Sequence, residues 1–363
     1  MQGGHRQSTI MPCETPGVAS RAGLSRRAFC VALASVGGMP LMRSAHAESG
    51  LLREFPDDLF GIAAFDEGRL VATGYYGTIK VSDDAGLSWR RIDGGTTELL
   101  RRVVAFEGGT ALAVGHQGSI LRSTDHGRTW QAVHREPGLY LRALSFTSPA
   151  VGWAVGHEGR ILHTRDAGRT WARQAIADYK GRDLPRLSGV AALDENRAVA
   201  VGEFGVVAET DDGGANWRLI SYRAYPTLTD VAIRDGRGLI VGLNGTLLAV
   251  LDAGDSMSLQ PLELGHHRHL LAAAAGPSGR MLAAGHGVLS EVDGHQARPV
   301  DVTPEFDLPH GWIGGLLCLG DGAAFAVGQG GAVLRADGRD APFSLRRQNQ
   351  QAATAGSAGE TIR

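Results

Sequence analysis

A repeat of about forty residues runs along most of this chain and limits the folds that the chain can adopt. Four similar segments each end in a tryptophan: GTIKVSDDAGLSW, GSILRSTDHGRTW, GRILHTRDAGRTW and GVVAETDDGGANW. These tryptophans are Trp89, Trp130, Trp171 and Trp217, at spacings of 41, 41 and 46 residues. A fixed period of this length is typical of repeat architectures, in which each unit packs mainly on its neighbours.

A second marker, upstream of each tryptophan segment, counts the repeats. It reads VATGYYG, LAVGHQG, WAVGHEG and VAVGEFG, and it continues beyond the last tryptophan segment as LIVGLNG, LAAGHG and FAVGQGG. The first glycines of the marker are Gly74, Gly115, Gly156, Gly202, Gly242, Gly285 and Gly328. The later repeats are degenerate, since VLDAGDSM has Met257 in the tryptophan position. The chain therefore contains seven units.

Each unit reads as four short strands. In the third unit these are LRALSF, VGWAVG, GRILHT and TWARQA, with Gly and Asp at the breaks. Apolar residues alternate with a period of two, and no segment shows the spacing of an amphipathic helix. Four strands per repeat is one blade of a β-propeller, and a closed ring protects the strand edges. We therefore predict an all-β, seven-bladed propeller of four-stranded antiparallel blades over residues 48–347.

The ends of the chain lie outside this repeat. Residues 1–47 carry Arg26 and Arg27 before an apolar stretch, and then the small-x-small sequence Ala45-His46-Ala47. This pattern resembles a twin-arginine signal peptide cleaved near Ala47, although an ordinary secretory signal remains the alternative. We therefore predict a periplasmic protein. Residues 348–363 are small and polar and are predicted to be disordered.

Charge and cysteine content exclude several classes of function. The formal net charge is −2, so charge indicates no nucleic-acid or anionic-membrane partner. Cys318 is the only cysteine after residue 47, so the exported chain has no partner for an intrachain disulfide.

The string S/T-x-D-x-G-x-x-W recurs at the end of the third strand in four units. Its aspartates are Asp84, Asp125, Asp166 and Asp212. An Asp side chain in such a turn accepts hydrogen bonds from nearby backbone N–H groups, and the tryptophan covers the gap between sheets. Catalysis or metal binding is the alternative. Equivalent turns lie on different blades, however, so their carboxylates cannot meet at one substrate, and we expect a structural role. The string resembles the Asp box of the bacterial neuraminidase repeat.

The Asp box also raises the possibility of a sialidase-like glycoside hydrolase. Such an enzyme would pair Tyr75 or Tyr76 with Glu158 or Glu203, but no motif joins these residues to an arginine triad. His116, His157 and His286 follow the marker glycine on three blades, too far apart to ligate one zinc ion. We therefore predict no enzyme activity, no metal site and no cofactor.

The predicted binding surface is the face of the ring that carries the starts of the first strands and the loops that join second and third strands. Arg102 and Arg142 are aligned at one repeat position there, in LLRRVVAF and YLRALSF. The other predicted partner-binding residues are Arg186, Tyr75, Tyr76, His116, His157, Glu158 and Phe204. Arginine beside exposed aromatic residues is typical of interfaces, whereas a solvated rim is the alternative.

The strings LRALSF, VGWAVGHEGRILHTRDAGRTW and LRRVVAF…AVGHQGSILRSTDHGRTW resemble the photosystem II assembly and stability factors of cyanobacteria and chloroplasts. The resemblance covers roughly residues 50–345. It implies an exported, non-catalytic, seven-bladed propeller that binds membrane subunits through an arginine-rich patch and assists assembly of a membrane protein complex. Arg102 and Arg142 match the position of that patch. We expect a monomer with a membrane-protein partner, which need not be photosynthetic.

Overall fold

Seven four-stranded antiparallel sheets form the part of the chain that the structure describes. This structure is a computed structural model that describes residues 57–66, 68–177, 179–254 and 257–346. Each sheet consists of four strands that are consecutive in sequence. The predicted seven-bladed propeller is confirmed. The predicted signal peptide, residues 1–47, and the predicted tail, residues 348–363, lie outside the described residues.

The blades follow one another in chain order. Blade 1 has β1 (Leu59–Ala64), β2 (Leu70–Gly74), β3 (Ile79–Ser82) and β4 (Arg90–Ile92). Blade 2 has β5 (Leu100–Ala105), β6 (Ala111–Gly115), β7 (Ile120–Ser123) and β8 (Gln131–His134). Blade 3 has β9 (Leu141–Phe146), β10 (Gly152–Gly156), β11 (Ile161–Thr164) and β12 (Ala172–Gln174). Blade 4 has β13 (Leu187–Ala192), β14 (Ala198–Gly202), β15 (Val207–Thr210) and β16 (Arg218–Ser221).

The last three blades are similar. Blade 5 has β17 (Leu228–Arg234), β18 (Arg237–Gly242), β19 (Leu247–Asp252) and β20 (Ser258–Pro261). Blade 6 has β21 (Leu270–Ala275), β22 (Met281–Gly285), β23 (Val288–Val292) and β24 (Ala297–Pro299). Blade 7 has β25 (Ile313–Cys318), β26 (Ala324–Gly328), β27 (Val333–Ala336) and β28 (Ser344–Leu345). The helical segments among the described residues are five 3-10 turns of three residues each, and none is long and apolar enough to span a membrane.

The first strands line the central channel. Each of them packs on the first strand of the next blade, and β25 of blade 7 packs on β1 of blade 1. The hydrophobic core lies between the blades as separate clusters, each shared by two neighbouring sheets. Second strands are almost wholly buried, because a neighbouring blade packs on each face of their sheet. The blades are thus held mainly by face-to-face packing of apolar side chains.

The ring closes by packing and by hydrogen bonds, because blades 1 and 7 share no strand. Phe325 and Leu70 belong to the cluster that joins the two blades. Arg335 of β27 donates a hydrogen bond from Nη1 to the carbonyl of Ala85, over 2.7 Å. At the other end of the sheets, the backbone N–H of Gly330 donates to the Asp58 carboxylate, also over 2.7 Å.

The Asp boxes are compact turns at the end of the channel opposite the loops between second and third strands. In the second box, Asp125 Oδ1 accepts hydrogen bonds from the Ser123 hydroxyl and the Thr129 N–H, and Oδ2 accepts the Thr129 hydroxyl. The Trp130 indole donates to the carbonyl of Gly127 and packs on the cluster between blades 1 and 2. Asp84, Asp166 and Asp212 make the same set of bonds, each within its own blade.

The degenerate units replace the tryptophan with other contacts. Met257 packs on the cluster between blades 4 and 5, which is where a tryptophan would lie. Between blades 6 and 7, the buried Arg280 donates to the carbonyls of Gly322 and Gly338 and lies over the Phe343 ring. Cys318 is buried nearby, and this burial raises the pKa of its thiol to about 12. The thiol is therefore unreactive at neutral pH.

Candidate functional site

Every blade begins with a β-bulge at the same end of the channel. In blade 2, Leu100 pairs with Gly115 and Arg102 pairs with Val114, so the intervening residue is the extra one. The extra residues around the ring are Phe60, Arg101, Arg142, Ser188, Thr229, Leu271 and Gly314. We call this end of the channel the mouth. Because a bulge residue is not paired with the neighbouring strand, its side chain can be turned toward a ligand.

The marker glycine makes this geometry possible. At Gly115 a Cβ atom would lie 1.9 Å from the carbonyl oxygen of Leu99, the residue just before the first strand. At Gly156 the same atom would lie 2.1 Å from the carbonyl oxygen of Tyr140. Only a residue without a side chain allows the end of the second strand to approach the start of the first so closely.

The strand register corrects the alignment of the arginines. Leu141 pairs with Gly156 as Leu100 pairs with Gly115, so Arg142 is equivalent to Arg101. The residue equivalent to Arg102 is Ala143, and the prediction that Arg102 and Arg142 share one repeat position was wrong. Alignment on the downstream phenylalanines gives the wrong register, because Phe146 is part of its first strand and pairs with Gly152, whereas Phe106 follows the end of β5.

Arg102 lies in the channel and not on the surface. Its Nη2 atom is 2.7 Å from Oδ1 of Asp230, which belongs to the first strand of blade 5. Blades 2 and 5 are not neighbours, so this ion pair crosses the channel. Asp230 is only 3% exposed and also accepts hydrogen bonds from the backbone N–H groups of Val231 and Ala273. Arg102 therefore links two blades that are not neighbours in the ring.

A cluster of positive charge occupies the mouth on blades 2, 3 and 4. It consists of Arg101, Arg142 and Arg186, and we call it the basic sector. Arg101 and Arg142 form none of the ion pairs found among the described residues, and Nε of Arg142 is buried without a hydrogen bond. Burial and the nearby Arg142 and Arg102 lower the pKa of Arg101 to about 9. Burial and the nearby Arg186 likewise lower the pKa of Arg142, although Glu203 opposes the shift.

Glu203 partly neutralises the outer member of the basic sector. Its carboxylate accepts a hydrogen bond from the backbone N–H of Arg186 and lies 3.6 Å from the Arg186 guanidinium. The side chain of Arg186 nevertheless remains exposed. Within the described ranges, the sector thus keeps two arginines without a carboxylate partner, which favours binding of an anionic group.

Two of the predicted histidines form a ladder beside the basic sector. The Tyr140 ring lies between them, 4.3 Å from His116 and 4.9 Å from His157, measured between ring centroids. Burial lowers the pKa of both histidines, and Arg142 adds to the shift in each. Both are therefore neutral at neutral pH. The tyrosine between them prevents the two imidazoles from sharing a metal ion.

An aromatic group lies on the other side of Arg101, at the seam between blades 7 and 1. Phe60 is buried and stacks on Trp312, with centroids 5.1 Å apart and planes inclined by 20°. The Arg101 guanidinium lies 4.7 Å from the Phe60 centroid. Tyr75 packs edge-on against Phe60, and Tyr76 packs on Tyr75. We call Tyr75 and Tyr76, with Phe60 and Trp312 beneath and beside them, the aromatic shelf.

The remaining predicted residues, Glu158 and Phe204, occupy the position of Tyr76 in their own loops, and all three have a positive φ. Phe204 is exposed on the loop of blade 4 and contacts the ring of Tyr222. Glu158 is exposed on the corresponding loop of blade 3. Sequence reasoning missed Arg101, Phe60, Trp312, Tyr140 and Asp230. Arg101 could have been found, because it stands next to Arg102 and follows the leucine that begins the strand.

The glycosidase pairing is not assembled in this geometry. Tyr75 and Tyr76 pack on blade 1, Glu158 lies on blade 3, and Glu203 binds Arg186 on blade 4. The two carboxyl groups of a glycoside hydrolase lie about 5–10 Å apart and flank the bond that is cleaved. Within the four described ranges, no group of three or more His, Cys, Asp or Glu side chains is arranged to hold a metal ion.

Comparison with known proteins supports the resemblance drawn from the repeat. The family model for the photosynthesis system II assembly factor YCF48 matches residues 87–257. A comparison with curated proteins finds no match.

Solved structures share the fold at low sequence identity. YCF48 from Cyanidioschyzon merolae is 18% identical with a TM-score of 0.61, and the match covers 78% of this chain and 96% of that one. A structure of YCF48 bound to a D1 peptide is 17% identical with a TM-score of 0.60, and the match covers 78% and 92%. An ancestral GH74 enzyme is 12% identical with a TM-score of 0.63, and this chain matches only 46% of its length.

At these identities the solved structures show the fold alone, and the family model covers just under half of the chain. The predicted family resemblance is confirmed: the chain is a seven-bladed propeller whose residues 87–257 match the photosynthesis system II assembly factor YCF48 family.

Proposed function

We propose that this protein is an exported, non-enzymatic scaffold that binds a segment of a membrane protein at the mouth and so assists assembly or stability of a membrane protein complex. The carrying observation is the pair Arg101 and Arg142, which are held on bulges at the mouth without a carboxylate partner in the described part of the chain. Two desolvated guanidinium groups that repel each other gain most from an anion, so the bound segment is acidic at this point.

Three further observations support the proposal. The family model matches an assembly factor, and a solved relative carries a peptide of the D1 protein. A closed ring presents its surface without ordering new segments, which lowers the entropic cost of binding. The twin-arginine pattern before residue 47 would deliver the ring to the periplasm, beside the exposed segments of inner-membrane proteins. There it acts as a monomer.

Capture from solubilised membranes tests the proposal. The double reversal Arg101→Glu with Arg142→Glu is expected to abolish capture of a specific membrane protein, with an unchanged melting temperature. A matched control is Arg128→Glu with Arg298→Glu, because both side chains are exposed and lie away from the mouth. Capture that survives the first reversal, or is lost in the control, would show that the mouth is not the binding surface.

The alternative function is a glycoside hydrolase, which the Asp boxes and the GH74 likeness suggest at the level of fold only. The protein is expected to be inactive on a panel of sialosides and aryl glycosides. Turnover of any of them, abolished by Glu203→Gln or by Tyr75→Phe with Tyr76→Phe, would replace the scaffold proposal with an enzyme.

A further inference from the structure

The aromatic shelf carries Tyr75 and Tyr76, two of the exposed large apolar side chains among the described residues, and it adjoins the basic sector. Tyr75 is 41% exposed and Tyr76 is 51% exposed. Hydration of a tyrosine hydroxyl group alone would not require this much of each ring to face solvent. The two features are continuous, because the Arg101 guanidinium lies over the same Phe60 ring against which Tyr75 packs. One ligand can therefore contact both.

The turn that carries the shelf is held by contacts with the linker to the next blade. Its tyrosines lie on the 3-10 turn Tyr75–Gly77, in which Tyr76 has a left-handed φ of 53°. The N–H of Gly77 donates to the carbonyl of Glu98 in the linker between blades 1 and 2, and a Cβ at Gly77 would lie 1.8 Å from the Thr96 carbonyl oxygen. The turn is thus clamped to the next blade. A preformed aromatic surface loses little entropy when it binds.

Resting on the proposed function, we infer that the shelf binds an aromatic or long aliphatic side chain of the same segment whose acidic group is held by Arg101 and Arg142. A purely acidic segment would leave Tyr75 and Tyr76 in water, and a purely apolar segment would leave the guanidinium groups unpaired. A segment that carries both groups satisfies both surfaces. Exposed Tyr, Trp and Arg side chains are the residues that supply most binding energy at interfaces.

The geometry also limits the spacing between the two side chains. Facing sheets lie roughly 10 Å apart, and an extended strand rises about 3.3 Å per residue. The shelf is on blade 1, Arg101 is on blade 2 and Arg142 is on blade 3. An extended segment that crosses from blade 1 toward blades 2 and 3 therefore places its acidic side chain roughly three to six residues from its aromatic one.

Labelled synthetic peptides test this inference directly. The probes share one glycine-serine background and carry Glu and Phe three residues apart, Glu and Ala, or Gln and Phe. The wild-type protein is expected to bind the Glu–Phe peptide about tenfold more tightly than the Glu–Ala peptide, a difference of about 1.4 kcal/mol. The Gln–Phe peptide is expected to bind more weakly than the Glu–Phe peptide because it lacks the charge.

Variants of the protein assign the effect to the shelf. In Tyr75→Ser with Tyr76→Ser, the advantage of Glu–Phe over Glu–Ala is expected to disappear, with an unchanged melting temperature. The control is Leu87→Ser, since Leu87 is 57% exposed at the opposite end of the same blade. It should keep the full tenfold difference.

The outcomes separate this inference from the proposed function. Equal binding of Glu–Phe and Glu–Ala, or no binding of any probe, overturns the shelf as a subsite. Capture of a membrane protein that depends on Arg101 and Arg142 would survive that result. Capture that does not depend on Arg101 and Arg142 overturns the proposed function, whether or not the peptides bind.

Discussion

Arg102 of blade 2 contacts Asp230 of blade 5 across the central channel, with 2.7 Å between Nη2 and Oδ1. All seven first strands meet around this channel, so the pair joins two blades that are not neighbours in the ring. The carboxylate also accepts two backbone N–H groups, which leaves it fully satisfied despite its burial. The arginine that sequence alone assigned to the partner thus has an internal partner.

We expect Arg102→Ala to destabilise the fold and Arg101→Ala to leave its stability nearly unchanged. Removal of one member of a buried ion pair leaves the other without compensation and costs about 3 kcal/mol. Chemical denaturation of the two variants checks the contrast. In a double-mutant cycle, Arg102→Ala with Asp230→Ala should cost clearly less than the sum of the single changes. Additive costs would mean that the channel pair contributes no coupling.

We expect binding of the acidic partner to strengthen as pH falls from 7.5 toward 5.5. Burial and the arginines Arg142, Arg101 and Arg186 lower the pKa of His116 and His157, while Glu98 and Glu203 oppose the shift. A bound carboxylate would favour the protonated imidazoles, so the pKa of each histidine rises on binding and protons are taken up. Affinity then increases as pH falls through the pKa of the bound state.

Variants of His116 and His157 test whether these two histidines take up the protons. His116→Gln with His157→Gln is expected to flatten the pH dependence of capture, whereas the exposed His295→Gln should leave it intact. A pH dependence equal to wild type in the double variant would assign the protons to other groups.

The Asp boxes are expected to stabilise the blades and to have no role in binding. Asp125→Ala removes three hydrogen bonds of the turn, each worth about 0.5–1.5 kcal/mol. Trp217→Ala removes a side chain that is 2% exposed, at about 3–5 kcal/mol, and the half-buried Trp130 should cost less. Thermal melts check this order, and capture by the folded variants should equal wild type. Wild-type melting of all three would remove the structural role.

The Asp boxes also predict a loss of stability in strong acid. Burial opposes ionisation of Asp125, but hydrogen bonds from Thr129 and Ser123 outweigh it and hold the pKa of the carboxyl at about 2. A carboxyl whose pKa is depressed in the folded state stabilises that state above its unfolded pKa, near 3.9, and loses this contribution as pH falls toward 2. Asp125→Asn should therefore reduce the slope of stability against pH in that window, as measured by urea titration.

His163 predicts a separate loss of stability between pH 6.5 and 4. It is buried in blade 3 and stacks on Trp153 with centroids 4.5 Å apart. Burial, assisted by Arg165, lowers the pKa of His163 to about 4. The unfolded chain therefore binds the proton first as pH falls, and folding loses up to about 3 kcal/mol by pH 4. His163→Phe keeps the stack and should remove this slope, and an unchanged slope would contradict the assignment.

Export is expected to depend on the arginine pair before the apolar stretch. Arg26→Lys with Arg27→Lys should retain the protein in the cytoplasm, because a twin-arginine route requires both side chains. Fractionation of the host cells, with a periplasmic marker enzyme as reference, measures the distribution. Unchanged export would leave the ordinary secretory signal as the explanation, and a cytoplasmic wild type would contradict export itself.

The repeat alone determined the architecture of this protein. The seven marker glycines, together with four tryptophan turns, indicate the number of blades. Each blade packs its faces on its neighbours and therefore repeats the same residues in its turns. Asp125 and Met257 show how far this reasoning extends, since the spacing of the repeat locates both the turn and its degenerate copy. The face proposed for binding also followed, because strand order places the loops of Tyr75 and His116 at one end.

Tertiary structure decided which side chains reach that face. A bulge adds one residue to a strand, and side chains in a strand alternate, so a shift of one residue exchanges Arg101 and Arg102 between the mouth and the channel. The sequence LLRRVVAF fits either register, and only the pairing of Leu100 with Gly115 selects one. The Asp230 partner and the stack of Trp312 on Phe60 join residues of different blades, and closure of the ring alone brings them together.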